Sequence, residues 1–259
     1  LIGGENLADQ LKSIQQGCDI LVATAGRFID ILSKKQTNFD KLKFFIVDEA
    51  DKMLDLGFNE QLDLILESIP IRRQNLLFSA TYPPKVLDIA SKITKNPISI
   101  TFENDNETVD KISQRAIKIN IQNKRSLLKY LLKSNNFKQT LVFMATARGA
   151  DNLANKFQKD GFKAQSLHGK LDQEERNLTL NEFKTNKINI LFTTDLLARG
   201  IDIEDISCVI NYDLPRSTAD YIHRVGRTAR AGKTGIAISF ITHENNEHFK
   251  LIEKRCNIN

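Results

Sequence analysis

A short apolar run that ends in carboxylates constrains this chain more than any other feature. The run Phe44-Phe45-Ile46-Val47 contains no polar residue and is followed at once by Asp48-Glu49-Ala50-Asp51. A run this short and this apolar predicts a strand that is buried on both faces, as in a parallel sheet covered by helices. In open α/β sheets, ligands bind beyond the carboxyl ends of the strands, which is where these acids would lie.

Two interpretations of these acids are open on this evidence. Adjacent carboxylates at the end of a strand could hold a divalent cation and orient a water molecule for attack on a phosphate. Alternatively, Asp48, Glu49 and Asp51 could simply begin a helix, because the helix dipole favours negative charge at its N-terminus. The acidic run by itself is compatible with both a cation site and a helix cap, and the motifs in the rest of the chain distinguish between them.

Composition restricts the class of protein. The 259 residues are enough for one large domain or two of ordinary size, and 27% charged and 41% hydrophobic residues are typical of a globular protein. No apolar run approaches the roughly 18 residues of a membrane span, and no secretory segment opens the chain, so we expect an intracellular protein without a membrane partner. Cys18, Cys208 and Cys256 are too far apart to indicate a zinc site or a disulfide framework.

Positive charge is concentrated in the second half of the chain. Residues 1–103 have a net charge of −2, whereas residues 113–259 have a net charge of +9. This asymmetry suggests a surface that faces a polyanion, although a lysine-rich solvated surface would give the same count.

Short apolar runs alternate with helical patterns along the whole chain. We predict a domain over 1–103, a polar linker over 104–112 and a second domain over 113–259. In the first domain, strands are predicted at 19–23, 44–47 and 75–78, with one long helix from the acids to about Ser68 and another that begins at Pro83-Pro84. In the second domain, strands are predicted at 116–121, 140–144, 163–167, 189–193, 208–211 and 235–240, and helices include 125–133, 147–159 and 173–184. This alternation indicates βαβ units on parallel sheets.

Six motifs in a fixed order carry a resemblance to a known family. Asp48-Glu49-Ala50-Asp51 is followed by Ser79-Ala80-Thr81, Val142-Phe143, His168-Gly169 with Gln173-x-x-Arg176, Ala198-Arg199-Gly200-Ile201-Asp202, and His223-Arg224-Val225-Gly226-Arg227-Thr228-Ala229-Arg230. In this order and spacing the chain resembles the DEAD-box ATP-dependent RNA helicases, most closely the Vasa-like branch. The resemblance implies an α/β fold of two RecA-like domains, with ATP in the cleft between them and RNA lying across both.

The resemblance assigns roles to residues of the first domain. Phosphoryl transfer requires positioning and charge stabilisation more than covalent chemistry. Asp48 would hold Mg²⁺, mainly through water molecules, and Glu49 would polarise the attacking water. Asp51, Ser79 and Thr81 would couple the nucleotide state to RNA binding through hydrogen bonds.

Residues of the second domain would complete the nucleotide site. The resemblance makes Arg227 and Arg230 arginine fingers, and a spacing of three would let both face one point on a helical turn. Asp202 would contact the ribose, where Gly200 permits close backbone approach, and His223 would join the coupling residues.

The resemblance also predicts a set of RNA contacts. They fall on Gly4, Thr24, Gly26 and Arg27 in the first domain and on Arg176 and Thr194 in the second. These are contacts to the RNA backbone, so binding should be insensitive to base sequence and sensitive to salt.

The chain departs from the family pattern at two positions and in three missing motifs. Ala25 replaces a usual proline and Ala229 replaces a usual glycine, and the phosphate-loop pattern G-x-x-x-x-G-K-[ST], the family's adenine-reading glutamine motif and its first RNA motif do not occur. The favoured explanation is that the sequence is part of a longer protein, cut at Leu1, since a non-catalytic chain has no chemical need for Glu49, Arg227 and Arg230. The alternatives are a non-catalytic RNA-binding protein, and a DNA-directed helicase or nucleotide-binding regulator. We expect the 259 residues alone to hydrolyse ATP poorly.

Overall fold

The computed structural model describes residues 1–101, 112–195, 206–229 and 234–256, and they divide into two compact units. The first unit is Leu1–Ile100 and the second is Thr101–Asn259. Each unit is α/β, which agrees with the predicted fold class. Within the described residues, no helix is long and apolar enough to cross a membrane.

The first unit combines five helices with two strands among its described residues. In chain order these are α1 Leu7–Gln15, α2 Ala25–Lys34, β1 Phe44–Val47, α3 Ala50–Asp55, α4 Asn59–Ser68, β2 Gln74–Leu77 and α5 Pro84–Ile93. The strands β1 and β2 are parallel, with Val47 opposite Leu77, so the residues after each strand meet at one edge. Pro84 begins α5, as predicted, because its missing N–H is not needed in a first helical turn.

The prediction that β1 is buried on both faces is wrong for this structure. Val47 is 5% exposed and packs among side chains of α4 and α5, whereas Phe44 and Ile46 are each 57% exposed. In residues 1–101, β1 pairs only with β2, and the helical core covers part of the strand. The apolar sequence therefore predicts the strand but not its exposure.

Two further predictions for the first unit need correction. The segment 19–23 forms no strand, and Ile20 and Val22 are exposed; Val22 O accepts a hydrogen bond from the Leu1 amino group. The predicted long helix is two helices, α3 and α4, because the chain turns at Gly57 with a φ of 81°. Glycine adopts this left-handed conformation without the steric penalty of a Cβ atom.

The second unit is organised around a six-stranded sheet. Among its described residues, the strands are β3 Ile112–Lys118, β4 Thr140–Phe143, β5 Ala164–Leu167, β6 Ile190–Thr193, β7 Cys208–Asn211 and β8 Gly235–Ile241, and the α-helices are α6 Lys124–Ser134, α7 Ala147–Lys159, α8 Gln173–Lys184, α9 Thr218–Val225 and α10 Asn246–Cys256. All pairings are parallel, in the order β3-β8-β7-β4-β6-β5. Every residue of β4, β6 and β7 is buried, as expected for central strands between two helical layers.

The helices bury the faces that their sequence periodicity indicates. Ala150, Leu153, Ala154 and Phe157 of α7 are all buried, and the Thr146 side chain caps the helix by accepting from the Gly149 N–H. Helix α8 begins with a capping box in which Asp172 and Glu175 satisfy each other's backbone N–H groups. The predicted bounds of both helices are confirmed; in α7 the apolar spacing and the cap coincide, and in α8 the capping box marks the start.

The predicted linker overlaps the second unit. Residues 102–111 lie outside the described residues, but Ile112 begins β3, is 5% exposed and joins a buried cluster with Tyr221 and Phe249. The strand predicted over 116–121 is therefore placed several residues too late. The polar composition of residues 103–108 led the prediction to extend the linker too far.

Two of the three cysteine thiols, those of Cys18 and Cys208, should differ sharply in reactivity. Cys208 lies in β7 with no exposed surface, and burial raises the pKa of its thiol to about 12, whereas Cys18 is exposed. The reactive species is the thiolate, so at pH 8 a disulfide reagent such as DTNB should modify Cys18 rapidly and Cys208 only after denaturation. A Cys18→Ser variant serves as the control and should lose the rapid phase. Modification of Cys208 in the folded chain at the rate of Cys18 would contradict the burial.

Candidate functional site

The carboxylates after β1 point into solvent. Glu49 caps α3 with φ 49° and ψ 48°, a left-handed conformation that costs roughly 1–2 kcal/mol for a residue with a Cβ atom. Its N–H donates to Asp48 Oδ1 at 2.8 Å, and both side chains are exposed. The sharp turn thus presents two carboxylates side by side at the carboxyl end of β1, where a phosphate or a cation could reach them.

Asp51 turns inward and joins this loop to the turn after β2. It is 5% exposed, and its Oδ2 accepts a hydrogen bond of 2.9 Å from Thr81 Oγ1. The Asp51 N–H donates to Ser79 Oγ at 3.2 Å, and that hydroxyl donates to the Thr81 carbonyl at 2.6 Å. The parallel register of β1 and β2 brings these segments together, so the structure places all three predicted coupling residues of the first unit in one hydrogen-bonded junction.

The residues predicted to contact RNA in the first unit also lie close together. Thr24 caps α2, and its N–H donates to the Leu1 carbonyl at 3.0 Å. Arg27 Nη1 donates to the Glu5 carbonyl at 3.0 Å, and Arg27 Nε is 3.6 Å from Asp30 Oδ2. These contacts hold the chain start against the first turn of α2.

Both glycines of this set are sterically open. Gly4 has a φ of 84°, and a Cβ atom added at Gly4 or Gly26 would meet no other heavy atom within 4 Å. The space beside both is open to a bound chain. Ala25, which stands between Thr24 and Gly26, begins α2 without disturbing it.

Arg176 of the second unit organises a loop before α8. Its Nε donates to the Leu171 carbonyl at 2.9 Å, and its Nη2 donates to the Gly169 carbonyl at 3.0 Å. Its Nη1 reaches Gln173 Oε1 at 3.3 Å. A guanidinium has five N–H donors, so two remain for another ligand. Thr194, the other predicted contact, follows directly after β6 and is half-buried.

Of the nucleotide-site residues predicted in the second unit, His223 and Arg227 are described. His223 lies on α9, and its backbone carbonyl accepts from Arg227 Nε at 3.2 Å, so the Arg227 side chain folds back against the last turn of this helix. Both are half-buried. Gly200, Asp202 and Arg230 lie outside the described residues.

The left-handed backbone at Ala229 gives physical meaning to one departure from the family pattern. Ala229 has a φ of 59° and is 6% exposed in a buried cluster. Glycine is the default residue for this conformation, because alanine there brings Cβ close to a carbonyl oxygen. Alanine at this position therefore has a conformational cost that glycine would avoid.

An ion pair between a buried arginine and a partly exposed aspartate in the second unit was missed by the sequence interpretation. Arg224 is 2% exposed and forms a two-pronged contact with Asp195, at 2.6 Å from Nε to Oδ1 and 2.8 Å from Nη2 to Oδ2. Its Nη1 also donates to Asn211 Oδ1 and to the Asp213 carbonyl, and the guanidinium lies 4.7 Å from the ring centre of Phe143. This network ties α9 to the carboxyl ends of β4, β6 and β7. The available signal was Asp195 itself, a carboxylate two residues after the end of the apolar strand β6.

A second hydrogen-bonded cluster surrounds His168, the histidine of the His-Gly motif. His168 is 2% exposed, and its Nε2 lies 2.6 Å from Asp151 Oδ1, which also accepts from Ser166 Oγ at 2.6 Å. Burial acts to raise the pKa of Asp151, but the hydrogen bonds from Ser166 and His168 outweigh it and lower the pKa. The motif residue His168 therefore helps to hold α7 against β5.

Comparison with known proteins identifies the class. A family profile described as DEAD/DEAH box helicase matches residues 1–89, and one described as Helicase conserved C-terminal domain matches residues 123–232. The chain is 32% identical to S. cerevisiae Dbp5 in a structure bound to RNA and ADP BeF3; the match covers 98% of this chain and 73% of that chain, with a TM-score of 0.83. The chain belongs to the DEAD-box helicase family.

Curated relatives agree with this assignment. The chain is 38% identical to the ATP-dependent RNA helicase eIF4A of Chaetomium globosum, over 98% of this chain and 64% of the relative, and 38% identical to Eukaryotic initiation factor 4A of Caenorhabditis elegans, over 97% and 63%. The chain thus spans somewhat less than two thirds of the length of these relatives. The family is confirmed, whereas the Vasa-like branch stays a prediction.

Proposed function

We propose that the whole protein is an ATP-dependent RNA helicase that couples ATP hydrolysis to local unwinding of RNA or remodelling of RNA–protein complexes. The observation that carries this proposal is the junction of Asp51, Ser79 and Thr81 beside the exposed pair Asp48 and Glu49. A change at the acids can reach the Ser-Ala-Thr turn through two hydrogen bonds. An enzyme whose RNA affinity depends on its bound nucleotide requires such a connection between the two sites.

Asp48 and Glu49 suit a Mg²⁺–nucleotide complex. Asp48 Oδ1 accepts from the Glu49 N–H, which leaves Oδ2 for a cation or its water molecules. The described residues contain no cluster of three or more acidic, histidine or cysteine ligands, and Mg²⁺ commonly binds through one or two carboxylates, phosphates and water. When bound, Mg²⁺ would neutralise phosphate charge. Glu49 would accept a proton from the attacking water, and this requires its carboxylate to be ionised and exposed.

Arg227 and Arg230 are the proposed arginine fingers. Planar guanidinium groups suit phosphate oxygens, and fingers of this kind contribute on the order of 10³–10⁵ in rate. Dbp5 has been solved with RNA and ADP BeF3, and Mss116p with single-stranded RNA and AMP-PNP, at 29% identity and a TM-score of 0.84 to this chain. We infer the same ligand classes here, with Gly200 and Asp202 at the ribose and His223 in the coupling set.

RNA would lie along residues contributed by both units. The proposed contacts are Gly4, Thr24, Gly26, Arg27, Arg176 and Thr194. Open space beside Gly4 and Gly26 and the remaining Arg176 donors support contacts to the sugar–phosphate backbone. We further infer two RecA-like domains that correspond to the two units, and an intracellular protein, which agrees with three free cysteines.

The proposal is tested by ATP turnover of the whole protein with and without RNA. Poly(U) and a mixed-sequence RNA should stimulate turnover equally, and the matching DNA strands should not, because a choice between them depends on 2′-hydroxyl contacts. The 259-residue chain, which has no G-x-x-x-x-G-K-[ST] pattern, should turn over ATP poorly under the same conditions. Equal stimulation by RNA and DNA would favour the DNA-directed alternative, and RNA binding without turnover would favour the non-catalytic one.

A further inference from the structure

Positive charge in the second unit is concentrated on two helices. Residues 124–163, which contain α6 and α7, include nine Lys/Arg and two Asp/Glu, a net charge of +7, whereas the whole chain carries +5. Residues 172–187, which contain α8, include four Asp/Glu and three Lys/Arg. The difference in net charge between the two halves of the chain therefore comes mainly from one helical region of the second unit, which contains α6 and α7.

Helices α6 and α7 belong to the same layer. Leu128 of α6 and Phe157 of α7 are fully buried in one cluster with Phe192 and Phe240, on one side of the six-stranded sheet. The α8 residue Phe183 belongs to a different cluster. The basic residues of α6 and α7 therefore share an outer surface that α8 does not.

Direct contacts join the basic side chains of α6 to the C-terminal end of α7. Arg125 Nη2 and Lys129 Nζ each lie 2.7 Å from Oδ2 of Asp160, the residue that follows α7. Lys133 Nζ lies 5.9 Å from the ring centre of Phe162. Arg125, Lys129 and Lys133 follow one another at intervals of four, so they form one stripe along α6.

Exposed lysines extend this stripe around the end of α7. The basic face, as we define it, consists of Arg125, Lys129, Lys133, Lys156, Lys159 and Lys163. The last three are exposed. Asp160 lies among these residues, and hydrogen bonds from Lys129 and Arg125 lower the pKa of its carboxyl. The carboxylate therefore remains ionised and neutralises the charge of one of these two residues. A surplus of unpaired positive charge remains.

The remaining exposed side chains of the two helices favour a nucleic acid over a protein as the partner. Ser126, Tyr130, Asn152 and Asn155 are exposed and can donate hydrogen bonds to phosphate or sugar oxygens. Tyr130, at 66% exposure, is the only exposed large hydrophobic residue within 124–163, all of which the structure describes. A protein interface would have an apolar core, which this surface lacks.

We propose that the basic face is a second RNA-binding surface, which holds the phosphate backbone of RNA outside the stretch contacted by Arg176 and Thr194. The proposal rests on RNA being the substrate of the proposed function. The surface belongs to one unit alone, so its binding needs no nucleotide. Its role would be to retain long RNA while the nucleotide-controlled contacts are released.

The test measures nucleotide-free binding of labelled poly(U) to the 259-residue chain by fluorescence anisotropy between about 50 and 200 mM salt. One variant changes Lys133, Lys156, Lys159 and Lys163 to glutamine. The matched control changes Lys184, Lys187, Lys250 and Lys254 to glutamine, which removes the same charge from exposed positions elsewhere in the unit. Each phosphate contact to a single strand contributes about 0.7 to the salt slope, so the first variant should lower the slope by about 3 and weaken binding at least about tenfold.

The outcomes separate the alternatives. Loss confined to the first variant supports the basic face. An equal loss in both variants would mean that net charge alone matters, and no loss in either would mean that RNA binds elsewhere; each overturns the proposal. Tighter binding of polyglutamate than of poly(U), with the same dependence on these lysines, would also overturn it in favour of an acidic protein. RNA-stimulated ATP turnover of the whole protein reports on the proposed function separately, because the four lysines lie outside its proposed site.

Discussion

Residues 112–259 expressed alone should unfold cooperatively, whereas residues 1–101 expressed alone should show no cooperative transition. The second unit has a six-stranded sheet with buried residues on both faces. The first unit has a two-stranded sheet, and Ile20, Val22, Phe44 and Ile46 are among its many exposed hydrophobic side chains. A two-stranded sheet is marginal by itself. The first unit has two small buried clusters, one around Val47 and one around Phe28, and they offset little of the entropy lost on folding.

Thermal unfolding followed by circular dichroism measures the difference. The 259-residue chain is the reference, and binding of the dye ANS reports exposed apolar surface in each fragment. The second fragment should retain the transition of the reference. A sharp, reversible transition in residues 1–101 without ANS binding would show that the two clusters of the first unit suffice for a stable fold.

Replacing Arg224 by methionine should destabilise the second unit by about 3 kcal/mol. Methionine fills much of the same volume but leaves Asp195 without its partner. It also leaves Asn211 Oδ1, which is fully buried, without a donor. The loss comes mainly from these uncompensated polar groups. Hydrogen exchange of the β7 amides in the 259-residue chain measures the opening free energy of this unit by itself.

Arg148 provides the matched control. It is exposed near the start of α7, and Arg148→Met should change the opening free energy by less than about 0.5 kcal/mol. The double variant with Asp195→Asn should be less destabilised than the sum of its single changes, because the two residues interact directly. A loss in Arg224→Met no larger than in Arg148→Met would mean that the network does not stabilise the unit.

The sequence predicts best those elements whose local signals agree. The bounds of α7 follow from apolar periodicity that coincides with a cap at Thr146, and α8 begins at the capping box of Asp172. Strand β7 is predicted with its observed bounds, because the apolar run Cys208-Val209-Ile210 begins after the polar Ser207 and ends at the polar Asn211. Where periodicity and caps both mark an end, tertiary contacts add little.

Two of the errors arise where the outcome depends on partners distant in sequence. The exposure of Phe44 and Ile46 depends on which strands adjoin β1, and a single apolar run does not contain that information. Residues Asp195 and Arg224 are 29 positions apart, so no local pattern reveals their ion pair. The motif order did identify Asp51, Ser79 and Thr81 together, although their hydrogen bonds join segments 28 and 30 positions apart.

The rate of RNA release by a Glu49→Gln form of the whole protein tests the central claim most directly. The claim is that Glu49 activates the attacking water while the neighbouring junction of Asp51, Ser79 and Thr81 transmits the nucleotide state to RNA. Loss of a general base typically costs about 10²–10⁴ in rate, and glutamine keeps the size and most hydrogen bonds of the side chain. With ATP bound and not hydrolysed, we predict turnover reduced by that factor and RNA released far more slowly than from the unchanged protein. Rapid RNA release with unchanged ATP turnover would contradict the account.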